Sequence, residues 1–153
     1  MKRLIVILVL TTVIVGVLTY FMPKSFDSYI QDISANATVS IYCRAAGVDA
    51  IELGNGKIVE CAACNFFSVV ARCKDVDGFS VSFTGSEQDV TRIVELFRLK
   101  VTSTQNLDGL RVVCGNSARI VGGVVLDGEK VNLQIAYKDG VVTVGSPLIL
   151  GSY

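Results

Sequence analysis

The feature that most constrains this chain is an uncharged run of 19 residues, Leu4 to Met22, bracketed by Met1-Lys2-Arg3 on one side and Pro23-Lys24 on the other. At about 1.5 Å rise per residue a helix of that length reaches roughly 28 Å, close to the thickness of the hydrocarbon core of a bilayer. The run is rich in Val, Ile and Thr. In lipid, however, the backbone must satisfy its own hydrogen bonds, which leaves helix as the expected conformation. An apolar core helix of a soluble domain would show a polar face, and this run shows none. A cleaved leader would have a shorter apolar region and a small-residue site after it, whereas this run ends in Thr19-Tyr20-Phe21-Met22-Pro23. A retained signal anchor over residues 1–23 is therefore expected. Lys2 and Arg3 hold the amino terminus in the cytoplasm, which places the remainder outside the membrane.

Residues 24–153 carry twelve Lys+Arg against fourteen Asp+Glu, a formal charge of −2, so a polyanion-binding surface and a nucleic-acid partner are not expected. The chain contains no His. That removes an imidazole general base, Ser/His and Cys/His nucleophilic pairs and His metal ligands from consideration. No metal or other cofactor is expected, and the expected partners are membrane lipid, through residues 4–22, and an envelope protein or wall component.

Residues 24–36 read as a juxtamembrane tether, or as a short helix on Phe26, Ile30 and Ile33, and residues 37–153 as one domain. Ala37 to Cys43 alternates apolar and polar residues as a strand does. Ala50 to Leu53 and Lys57 to Cys61 flank Gly54-Asn55-Gly56 as a hairpin, with Asn55-Gly56 supplying the turn. From Asn65 the period changes: Phe66, Val69, Val70 and Cys73 fall on one helical stripe that Asp75 to Gly78 should end, before Phe79 to Phe83 returns to strand. Ser86 caps the clearest helix, with acidic residues in its first turn and Val90, Ile93, Val94 and Phe97 on its apolar face. Five strand-like pieces follow, at 101–104, 110–114, 123–126, 131–137 and 141–144, with Asp127-Gly128 and Asp139-Gly140 as hairpin turns. The order predicts an α+β fold: a two-layer domain with a mostly antiparallel sheet and two amphipathic helices on one face.

Two sets of residues invite a functional reading. Cys61-Ala62-Ala63-Cys64 has the spacing of thiol-disulfide exchange sites and of half a zinc site, and it falls between a strand end and a helix start. The aromatic, Pro or Gly neighbours usual in redox motifs are missing, and no second close pair exists to complete a zinc site. Buried apolar cysteines, a disulfide and a reactive pair all remain open readings of Cys61 and Cys64. Asn132 and Gln134 share one face of the strand 131–137, and with Tyr137 they are the candidate contact residues on a sheet face left uncovered by helices. A solvent-facing side of an antiparallel sheet would look the same. Acidic pairs such as Asp75/Asp77 and Glu87/Asp89 flank turns and helix starts and read as solvated caps. The three functional readings are thus a non-catalytic membrane-anchored interaction domain, a thiol-disulfide redox protein using Cys61/Cys64, and a structural subunit of an envelope assembly.

Asp127-Gly128-Glu129-Lys130-Val131-Asn132-Leu133-Gln134-Ile135-Ala136, followed by Gly145-Ser146-Pro147-Leu148-Ile149-Leu150-Gly151-Ser152-Tyr153, resembles the ending of the YwmB-like proteins of spore-forming bacteria. The resemblance covers the last 27 residues and, beyond them, the layout alone. It implies an export signal, an α+β domain likened to the TATA-box-binding fold without DNA binding, and a setting in a Gram-positive envelope linked to sporulation or wall processes. The chain departs from that family in being shorter and in carrying five cysteines.

Overall fold

The structure, a computed structural model, describes residues 26–32 and 36–150. The expected anchor, residues 4–22, lies outside the described residues. Among those that are described, no helix is long and apolar enough to cross a membrane.

Helix α1 (Phe26–Asp32) leads into β1 (Thr38–Ala46), the hairpin β2 (Ile51–Leu53) and β3 (Gly56–Ala62), a 3-10 turn (Ala63–Asn65), α2 (Phe66–Val70) and β4 (Cys73–Thr84). Helix α3 (Glu87–Leu96) follows, and then β5 (Lys100–Leu107), β6 (Leu110–Asn116), the short pair β7 (Val124–Leu126) and β8 (Glu129–Val131), β9 (Leu133–Lys138) and β10 (Val141–Ser146). Eight strands form one sheet in the order β2-β3-β1-β4-β10-β9-β6-β5, and every pairing is antiparallel. The α+β expectation thus holds at the level of a mainly antiparallel sheet with few helices.

Alternation along the strands sorts the side chains into two layers. Val39 and Ile41 on β1 stand opposite Val81 and Phe79 on β4, Val144 on β10 pairs with both Val81 and Ile135, and Ile135 pairs with Val113 on β6. These residues form a single apolar layer, and Phe26 and Ile30 of α1, Phe66 of α2, and Val90, Ile93 and Phe97 at α3 pack against it. Phe97 is the hub of this layer, with ring centroids 6.0 Å from Phe26 and 5.4 Å from Tyr29, the latter edge-on. Burial raises the Tyr29 phenol pKa well above its ordinary value, and the nearby Asp89 carboxylate adds to the effect.

Of the two readings of residues 24–36, the structure has the short helix: α1 carries Phe26 and Ile30 into the core, so these residues belong to the packed domain. Three expectations need correction. The Phe66 stripe yields only five helical residues. Cys73 already opens β4, because pairing with β1 extends through Ala46↔Cys73 and Cys43↔Val76, and ladder hydrogen bonds outweigh a short helix of marginal propensity. The positive φ of the first hairpin falls on Gly54, while Gly56 belongs to β3 under the Tyr42 ring, where an added Cβ would lie 2.6 Å from Tyr42 Cζ. Finally, the strand expected at 131–137 is broken at Asn132 into β8 and β9.

Candidate functional site

The face of the sheet opposite the helices is not left open. After the cis Ser146-Pro147 bond, residues 147–150 turn back across it, and Leu148 and Ile149 pack against a second apolar cluster of Val112, Cys114, Val131 and Ala136. The strap is hydrogen bonded at two points: Ile149 N–H donates to Gln134 Oε1 at 3.0 Å, and Ser80 Oγ donates to the Leu150 carbonyl at 3.3 Å. It crosses directly over Gly145, where any Cβ would collide with the backbone of Leu148 and Ile149. Beyond the strap the same face is more polar. Ser82 Oγ and Thr143 Oγ1 share a 3.0 Å hydrogen bond there, at the floor of a shallow cavity of about 380 Å³ rimmed by Lys138 and Asp139.

The candidate contact residues are therefore separated by the fold. Asn132 is 1% exposed: its Oδ1 accepts the Ser117 N–H, and its Nδ2 donates to the Ser117 and Ile120 carbonyls, each at 2.8 Å. This amide closes the loop after β6 and is a structural group. Tyr137 faces the helix layer and packs on the main core. Gln134, half-buried, faces the other side. With Ser103, Gln105, Val112, Leu126 and Glu129 it lines a groove of about 190 Å³ between β5 and the β7-β8 hairpin. No single open face presents all three. Parity separates Tyr137 from Gln134, and an interrupted strand withdraws Asn132.

The groove borders an open sheet edge. β5 pairs with β6 on one side, carries no strand on the other among the described residues, and is exposed along its length apart from Thr102. A register shift between Val101 and Ser103 bulges it at its start, and Thr102 Oγ1 donates to the Cys114 carbonyl at 3.2 Å. An exposed edge strand offers backbone donors and acceptors that an extended segment can pair with. The sequence signal for it was the polar stretch Thr102 to Asn106, which reads equally as a loop.

Four of the five cysteines lie toward the other end of the strand order, on or next to β3, β1 and β4, while Cys114 on β6 lines the groove itself. Cys61 is the penultimate residue of β3 and half-buried, Cys64 is exposed in the 3-10 turn, and the two span the passage from that strand to α2. Cys43 is fully buried on β1, and the Cys73 thiol is hydrogen bonded to it and also donates to the Val69 carbonyl at 3.5 Å. Burial, together with Cys43, pushes the Cys73 thiol up to about 11. Burial and then Cys64 raise the Cys61 thiol as well, which favours the protonated, weakly nucleophilic form at neutral pH. All five cysteines are free thiols, and among the described residues no group of three or more His, Cys, Asp or Glu could hold a metal ion.

Comparison with protein-family models, curated proteins and solved structures finds no match.

Proposed function

We propose that this chain is a membrane-anchored α+β domain outside the cytoplasmic membrane that binds an extended segment of an envelope partner along β5, without catalysis. The observation that carries this reading is the exposed outer edge of β5 beside a groove that can take a side chain of the added strand. Asp127 and Glu129 stand on one wall of that groove, so the reading extends to a partner with a Lys or Arg at the facing position. Anchoring rests on the apolar run Leu4 to Met22, and the envelope setting on the resemblance of the carboxyl-terminal segment to the YwmB-like ending.

Site-specific photocrosslinking in intact cells tests the reading. A photoreactive residue at Thr104 or Asn106 is expected to give a discrete adduct that the same residue at Glu60, exposed on β3, does not give. A Thr104→Lys substitution places a charge on the edge and should abolish adducts formed from Asn106 while leaving the fold intact. Identical adduct patterns from β5 and from Glu60 would remove β5 as the binding edge.

A further inference from the structure

Val121 is 99% exposed, yet it follows the buried Ile120 and precedes Gly122 and Gly123, both at positive φ. An isolated valine in water needs no explanation by itself. Its place relative to the start of the domain is what distinguishes it. Val121, Arg119, Phe26 and Asp27 line one cleft of about 230 Å³, so this loop and the first turn of α1 sit side by side. Only Pro23, Lys24 and Ser25 separate Phe26 from the end of the apolar run. Fully extended, that connection reaches about 14 Å, while the headgroup layer beyond the hydrocarbon is itself about 5–8 Å thick. The cleft is therefore held close to the lipid surface by covalent geometry.

We propose that the Arg119–Gly123 loop rests on the membrane, with the Val121 side chain inserted into the headgroup layer of the leaflet from which the domain emerges. The proposal rests on residues 4–22 crossing that membrane. Charge agrees with an anionic lipid surface: Arg119 lines the cleft with the single carboxylate of Asp27, and the three residues that join Phe26 to the apolar run add a cation, Lys24, and no anion. Part of the Arg119 guanidinium is engaged by the Leu96 carbonyl, which fixes the base of the loop. The two glycines let the tip adopt a backbone conformation that branched residues avoid and leave Val121 as its sole large side chain. With this contact the domain has a fixed tilt. The turn at Leu107, at the other end of β6 and about 20 Å along the strand, then points away from lipid.

The chain contains no Trp, so a single introduced Trp reports its own surroundings. Full-length Val121→Trp and Leu107→Trp proteins are reconstituted into phosphatidylcholine–phosphatidylglycerol vesicles that carry brominated acyl chains. Val121→Trp is expected to emit at shorter wavelength, to be quenched by the brominated lipid and to resist aqueous iodide. Leu107→Trp, at a site 62% exposed, is expected to show the reverse. If the chain resists carbonate extraction while Val121→Trp is quenched by iodide as fully as Leu107→Trp, the loop contact is overturned and the anchor stands. Release of the chain by carbonate would instead overturn the anchor, and the loop contact with it.

Discussion

Asn132 grips the Ser117 backbone through the two peptide groups that flank its Cα: the Asn132 side chain accepts the Ser117 N–H and donates to the Ser117 carbonyl, both at 2.8 Å. Ser117 Oγ in turn donates to the Phe97 carbonyl and accepts the Arg119 N–H at 3.1 Å. One buried amide thus joins the start of β9, the loop after β6 and the residue that ends α3.

Replacing that amide should be costly. Asn132→Ala removes three hydrogen bonds and leaves a buried N–H and two carbonyls without these partners, which at about 1 kcal/mol per bond plus desolvation amounts to roughly 2–4 kcal/mol. Urea unfolding of the purified chain measures it. A loss below half a kcal/mol, as for a surface residue, would mean that water replaces the amide freely.

The strap over the second face depends on the absence of a side chain at Gly145. Gly145→Ala should displace residues 147–150 and destabilise the domain by about 1–3 kcal/mol, the usual range for overpacking. Limited proteolysis should then cleave near Leu148, and Cys114, 8% exposed beneath the strap, should become alkylable. Unchanged protection of Cys114 would show that the backbone absorbs the methyl group.

Cysteine reactivity should follow burial. A brief iodoacetamide pulse at neutral pH is expected to label Cys64 first, Cys61 more slowly and Cys43 least, as read by peptide mass. Rapid labelling of Cys61 would reinstate a reactive pair and with it the redox reading.

The raised Cys73 thiol also makes stability depend on pH. Its folded-state value, about 11, lies above the ordinary value of 9.0, so the unfolded chain loses this proton first as pH rises. The contribution is complete below pH 9 and is lost between pH 9 and about 11. Cys73→Ser should flatten thermal unfolding midpoints over that interval.

At the other end of the scale, the Asp89 carboxylate accepts the Ser86 N–H at 2.8 Å and the Ser86 hydroxyl at 2.9 Å, and these bonds, aided by Arg92, hold its pKa below the usual range. Its stabilisation of α3 is present above the ordinary value of 3.8 and is lost as pH falls through the lowered one. Asp89→Ala should cost about 1 kcal/mol near neutral pH, as for loss of a helix cap. A midpoint difference from the parent chain that does not shrink in acid would contradict this.

The strands and the long helix were legible in the sequence because their signals are local. Val39-Ile41-Cys43 alternate with period two, Val90-Ile93-Phe97 repeat at helical spacing, and Asp127-Gly128 and Asp139-Gly140 supply the positive φ their turns need. The Phe66 stripe misled because period and propensity compete over a segment of a few residues, and pairing with β1 decided the outcome. The candidate surface was the least legible. Parity along 131–137 assumed one unbroken strand, whereas the withdrawal of Asn132 toward Ser117 divides it, and residues distant in sequence brought the strap over Gln134. By itself the sequence determined the apolar amino-terminal run, the exclusion of imidazole chemistry and the alternation of elements, since composition and periodicity are properties of neighbouring residues. Only the tertiary structure decided which face is covered, which edge is open and which amide is buried. Those outcomes depend on long-range pairings whose closure no local pattern encodes.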